Sequence, residues 1–310
     1  MRTIYFTILA AVLLSFPSAA QDSLPVKPSL HHHTGRKWLI GGISATSYTG
    51  SLVLLNEAWY KNYPQTSFHT FNDAREWQQM DKVGHAWSTY NLTRGLTSAW
   101  RWAGVKGDGP ILLGSGSAFS YVMIIEMLDA HSAEWGWSWA DVGANTLGTA
   151  LYTAQELGWR EQRILYKYSG HVKHYGDLEP RADDLFGTTT AERLLKDYNG
   201  QTYWLSANPR SFFPGSRFPA WLNIAVGYGA AGMLGGFENR AYDKNGNITF
   251  DRSDIVRHRQ WYLSPDIDLS KIRTNSKVVR TAFTILNMLK LPAPALELSR
   301  GKLKVHALYF

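Results

Sequence analysis

Residues 81–102 read DKVGHAWSTYNLTRGLTSAWRW, and residues 111–148 read ILLGSGSAFSYVMIIEMLDAHSAEWGWSWADVGANTLG. The apolar spacing predicts three helices, Asp81–Trp102, Ile111–Asp129 and Ser138–Leu157, separated by Gly-rich or Trp-rich breaks. Each carries a few polar side chains at one-turn spacing. Asp81, His85 and Ser88 stand at i, i+4 and i+7 and share one face. Glu126 and Asp129 close an otherwise apolar run, where two carboxylates are costly unless partnered. Asp141 and Asn145 follow Ser138, and Ser138-x-x-Asp141 reads as a capping box, which by itself explains Asp141.

If these faces meet, the chemistry is that of an imidazole held among carboxylates. Neighbouring acids raise one another's pKa, and an imidazole favours their charged form. Such a His can act as a general base toward an ester or phosphodiester. The same set could hold a divalent cation through one nitrogen and several oxygens. The reading therefore names His85, Asp81, Glu126, Asp129 and Asp141 as candidate catalytic residues. It takes Ser88, Asn145 and Ser138 as candidate ligand contacts, and His85, Glu126 and Asp129 as candidate metal ligands. No Gly-x-Ser-x-Gly and no cysteine supports acyl transfer. The opposing reading is a satisfied polar network that fixes helix packing without chemistry.

Upstream, residues 1–20 (MRTIYFTILAAVLLSFPSAA) have the basic start, short apolar run and small-residue end of a secretory signal peptide. Residues 21–36 are polar and predicted extended; His31–His33 could bind a metal, but in a mobile N-terminal segment such a run is more often incidental. Lys37–Tyr60 form a first long helix rich in Gly, Ser and Ala, either buried or facing a membrane. In the link that follows, Asn72 or Asp73, with Glu76, could cap a short helix over Arg75–Met80.

Downstream the texture changes. Residues 160–193 are charged and irregular, with His171 and His174 three apart. Strand patterns then recur at 196–208, 221–234, 258–269 and 296–310. A short helix fits Val278–Leu289. Asp243–Asn247 (DKNGN) matches a calcium loop poorly, and Asn245-Gly246 reads better as a hairpin turn. The closing KLKVHALYF ends on an aromatic after alternating residues, as outer-membrane strands do.

The fold class expected is α+β. A four-helix bundle over 37–165, with membrane embedding left open, precedes a β-rich half over 166–310 that forms a partial sheet or small barrel-like wall. The 310 residues carry a formal charge of +7, 45% apolar and 14% aromatic residues, and no Cys. The basic residues are scattered, so nucleic acid is not an expected partner; a membrane lipid or another envelope component is. The missing Cys excludes disulfides and argues against a lipid-anchored lipoprotein. No cofactor is identified beyond the divalent cation the cluster could take.

Taken together, DKVGHAWSTY (81–90), IEMLDAHSAEWGWSWADVGANTLG (125–148), KDYNGQTYWLSAN (196–208), WLNIAVGYGAAGMLGG (221–236) and the closing twenty residues resemble the YfiM-like family of unknown function, number 2279. Its members are envelope proteins often described as predicted periplasmic lipoproteins, and this chain departs from that in lacking Cys. A fainter likeness to VanZ-like membrane proteins rests on Asp81, Lys82, His85, Glu126, Ser138, Asp141, Asn145 and Gly148; it adds Lys82 to the candidate ligand contacts. Neither resemblance implies a reaction. The expectation is an exported envelope protein at the outer membrane or in the periplasm, not a lipoprotein. Its cluster binds a polar head group or stabilises the bundle; the alternative is a membrane-associated hydrolase built on His85.

Overall fold

Four long helices come first in the computed structural model, which describes residues 34–58 and 64–310: α1 (Thr34–Ala58), α2 (Met80–Trp102), α3 (Gly109–Asp129) and α4 (Trp139–Trp159). The signal peptide, His31–His33 and most of the expected extended segment lie outside the described residues; residues 34–36 already belong to α1. Helices α2, α3 and α4 pack closely on one another, while α1 meets α2 much more sparsely. Ile40 of α1 is buried beside Leu92 and Leu96, and the Tyr121 hydroxyl donates to Ser51. The arrangement is thus a three-helix layer with α1 laid against it, and a four-helix bundle is not confirmed. Membrane embedding is not confirmed either. Among the described residues, α3 alone is long and apolar enough to cross a bilayer, by length and composition only.

Two glycines set how closely the layer packs. A Cβ on Gly148 of α4 would stand 2.1 Å from the Ala86 carbonyl oxygen of α2. One on Gly114 of α3 would stand 2.6 Å from the Thr97 backbone nitrogen. Gly148→Ala is therefore expected to lower stability by about 1–3 kcal/mol, because overpacking outweighs the better helix propensity of Ala. Chemical denaturation checks this, with the midpoint falling.

The C-terminal half holds a six-stranded antiparallel sheet of β1 (Ile164–Gly170), β2 (Gln201–Ala207), β3 (Leu222–Ala231), β6 (His258–Ile267), β7 (Ala293–Ser299) and β8 (Lys302–Tyr309), in that spatial order. β4 (Arg240–Tyr242) and β5 (Ile248–Asp251) form a separate hairpin. Its turn confirms the Asn245-Gly246 reading: Gly246 has φ +82°, and the Asp243 carboxylate accepts from the Asn245 and Asn247 amides. The short helix expected near 278–289 is α7 (Lys277–Leu286).

The stretch read as irregular contains β1, α5 (Glu179–Phe186) and α6 (Thr190–Lys196). β1 alternates over Tyr166-Lys167-Tyr168-Ser169 but is short and buried on both faces, with Lys167 in an ion pair, so it reads as part of a charged stretch. α6 begins at a capping box of Thr189 and Glu192, but seven residues give little periodicity to read. The core forms where α2 lies on β1 and β2. Trp87 and Tyr90 of α2 stack against Tyr152, Tyr166, Tyr168 and Tyr203, which is where much of the aromatic content goes.

Candidate functional site

α2 starts from a strained turn. Trp77, Gln78 and Gln79 have φ of 48°, 53° and 64°, a left-handed run that costs non-glycine residues about 1–2 kcal/mol each. The surroundings hold it in place. The Trp77 amide donates to the Gly236 carbonyl at 2.7 Å, the Tyr228 hydroxyl donates to the Gln78 carbonyl, and Trp77 packs on Tyr198 and Phe186. The chain then enters α2 with Asp81, Lys82 and His85 turned toward α4. The close approach at Gly148 brings Asn145 and Asp141, one and two turns earlier on α4, up to that face.

Lys82 lies at the centre. Its ammonium donates to Asp73 at 2.5 Å, Asp141 at 2.6 Å and Asp81 at 2.8 Å, one carboxylate for each N–H. Lys82, Asp73 and Asp141 are buried. Burial alone would lower the Lys82 pKa, but Asp81 and Asp141, with the hydrogen bonds to Asp141 and Asp73, hold it well above the usual range. Ser138 serves two elements at once: it accepts from the Asp141 amide as the α4 N-cap and donates to Asp73. Of the expected capping box the Ser138 half is present, while the Asp141 carboxylate turns to Lys82.

His85 stands beside this group with about a third of its side chain open to solvent. Its Nε2 lies 3.6 Å from Asp141 and 3.8 Å from Asp81, and its Nδ1 lies 3.8 Å from Glu126. These are ion-pair separations, longer than hydrogen bonds. Nδ1 also lies 3.4 Å from the Asn145 side-chain oxygen, which accepts from Thr89 at 2.8 Å, while the Asn145 amide donates to Glu126 at 3.4 Å.

The charges tune one another. For His85, burial disfavours the imidazolium, but Asp141, Asp81 and Glu126 together raise the pKa to about 9. For Glu126, burial dominates and lifts the carboxyl to about 8 despite His85, helped by Asp141, Asp129 and Asp81. Asp141 is raised to about 6, again chiefly by burial. Asp81 goes the other way: burial is overcome by His85 and Lys82, with a Tyr198 hydrogen bond, and the pKa falls to about 2.

Among the described residues, the one group of His and acid side chains whose donor atoms could share a metal ion is Asp81, His85 and Asp141, all within 4.8 Å of one another. The expected metal set of His85, Glu126 and Asp129 shares only His85 with it. Glu126 sits just behind the ring. Asp129, half-buried, acts on Glu126 through its charge. Ser88 is half-buried, and among the described residues it has no hydrogen bond to the cluster. His171 lies elsewhere, against Tyr309 and the Phe310 carbonyl, and His174 joins no such group.

Asp73, Thr89 and Tyr198 are cluster members that sequence reasoning missed. The cap expected from Asn72 or Asp73 is a single 3-10 turn, Glu76–Gln79, whose N-cap Arg75 makes no side-chain bond. Asp73 is instead buried against Lys82.

No curated protein and no solved structure matches the chain. No similarity to VanZ-like membrane proteins is supported. The expected localisation is corrected by the family comparison: lack of Cys argued for an unlipidated outer-membrane or periplasmic protein, whereas the matched family is described as a lipoprotein one, and a periplasmic setting is what remains in common. Residues 70–155, which cover α2, α3, all but the last turn of α4 and every cluster residue except Tyr198, match the family described as "Predicted periplasmic lipoprotein (DUF2279)", a family without a known function.

Proposed function

We propose that Asp81, His85 and Asp141 form a divalent-cation site through which this periplasmic-type protein holds an anionic oxygen ligand, such as the phosphate of a polar head group. The observation that carries this is the convergence of one imidazole nitrogen and two carboxylate oxygens within 4.8 Å, with His85 as the solvent-facing member. One nitrogen and two oxygens suit Zn²⁺ or Mn²⁺, and three protein ligands leave a coordination position open. A cation is also what lets so acidic a site accept an anion. Asp73, Asp81 and Asp141 outnumber Lys82 and His85, and Glu126, largely protonated near neutral pH, adds a fourth carboxylate as pH rises.

A second reading, a metal-assisted ester or phosphoester hydrolase, is favoured by Glu126. Its carboxyl, raised to about 8 and 3.8 Å from the ring, can exchange a proton near neutral pH. Calorimetric titration with Zn²⁺ and with Mn²⁺ tests the shared premise. One ion should bind per chain, and His85→Ala or Asp81→Asn should weaken binding by about 100-fold, as ligand loss does. Unchanged affinity in both variants would leave the cluster a packing network.

A further inference from the structure

The sheet wears its polarity inside out. Along β6 and β7 the enclosed side holds the buried polar residues Ser264, Asp266, Glu297 and Ser299, beside the buried Tyr262 and Ala295. On the opposite side four large apolar residues stand open, with the exposed Arg259 at one end: Trp261 is 50% exposed, Leu263 47%, Leu296 40% and Leu298 51%. Val226 of β3 and Val305 of β8 share this open face at 50% and 75%, as the register Val226↔Leu263↔Leu296↔Val305 requires. On the enclosed side, Lys167 and Asp266 form a fully buried ion pair at 2.8 Å. Antiparallel sheets in water do the reverse, covering the apolar face and wetting the polar one. The helical layer covers this open side over β1 and β2, where Tyr166, Tyr168 and Tyr203 meet α2, and reaches β3 at Tyr228. A contiguous apolar patch across four strands marks a binding surface.

The segment that feeds β3 shows what the surface meets. Residues 210–221 read RSFFPGSRFPAW: two arginines, three phenylalanines, one tryptophan and no acid. Phe213 is 68% exposed, Phe218 45% and Trp221 43%. Behind it lies a cleft of about 430 Å³ lined by Arg163, Arg210 and Lys271, with Glu161 as the one acid. Aromatic rings with Arg at the end of an apolar face suit the border between acyl chains and anionic head groups.

We propose that the open face of β3, β6, β7 and β8 seats on a lipid bilayer, with Phe213, Phe218 and Trp221 at the head-group border and the cationic cleft facing lipid phosphate. This surface is separate from the Asp81–His85–Asp141 cluster and does not depend on it. The test is flotation of the full chain with vesicles of phosphatidylethanolamine and phosphatidylglycerol. Wild type should float, and Leu263→Asp with Leu298→Asp should cut the bound fraction by about tenfold, since charge on an inserted face opposes burial. Brominated acyl chains should quench wild-type fluorescence by an amount that Trp261→Phe removes, which reads the same contact without a charged variant. Arg210→Gln with Arg217→Gln should weaken binding to these vesicles and leave binding to neutral phosphatidylcholine vesicles unchanged. The proposal is overturned if wild type stays with the soluble fraction. It is also overturned if wild type is a vesicle-free dimer that the double Asp variant splits, since a second copy then covers the face.

Discussion

Lys82→Met is expected to cost about 3–5 kcal/mol of folding stability, enough to leave much of a marginally stable chain unfolded. The ammonium is buried, and its three N–H groups are matched one to one by Asp73, Asp81 and Asp141. Methionine fills similar space but supplies no charge. Asp73 and Asp141 would then be left as buried neighbouring carboxylates that must take up protons or open to water. Lys82→Arg is not a rescue, because a planar guanidinium does not point its N–H groups at three carboxylates around one nitrogen. Replacing Asp73 and Asp141 by Asn in the Lys82→Met background should restore a good part of the loss, because amides carry no charge to bury. Urea midpoints of the single and triple variants measure this. A loss below about 1 kcal/mol in Lys82→Met would mean that the three acids are well hydrated.

The second large effect is on pH. His85 is raised from 6.5 to about 9, so its protonated ring contributes stability fully below pH 6.5, which is lost as pH rises through 9. Glu126, raised from 4.5 to about 8, is a carboxyl whose burial favours the neutral form; it too loses stability as pH rises through 8. Asp81 has the opposite sign, contributing above its ordinary 3.8 and losing that as pH falls toward 2. Between pH 7 and about 8 the first two act together, and from there to 9 the loss is carried by His85 alone. The expected fall in stability is about 2 kcal/mol, less than the 1.36 kcal/mol per pKa unit of the full shifts because the His85 ring is partly exposed. His85→Ala should flatten the high-pH side of the curve. A bound divalent cation should flatten it as well, since it replaces the protons the cluster otherwise holds. A wild-type curve flat from pH 7 to 9 in chelator would contradict the electrostatics described here.

The parts of the site that sequence revealed are those set by local periodicity. Asp81 and His85 share a face because they are four residues apart on a helix, and Ser138 with Asp141 announces the start of α4. Glu126 stood out because a carboxylate near the end of an apolar run needs a partner, and Asn145 and His85 supply it. What could not be read was anything set by distant pairing. Asp73 sits in a loop and looks like a cap; only the fold places it against Lys82, and the strained turn at Trp77–Gln79 lies between the two. Tyr198 reaches Asp81 from more than a hundred residues away in sequence. The metal set named from sequence differs from the group the fold brings together for the same reason: Glu126 and Asp129 lie near one another on α3, but the oxygens nearest Nε2 of His85 belong to α2 and α4. In the sheet, β6 and β8 declared themselves by alternation and β3 by its Gly-laced apolar run, whereas β1, with Lys167 buried in an ion pair, was lost in a stretch that looked charged and irregular.

Crystals of the protein soaked in Mn²⁺, with anomalous scattering recorded at the metal edge, test the central claim most directly. The account predicts one strong peak about 2.0–2.2 Å from Nε2 of His85 and from an oxygen of each of Asp81 and Asp141, with the Lys82 ammonium displaced from those two carboxylates. An empty cluster with the three Lys82 bonds intact would contradict it, as would manganese bound only at the surface.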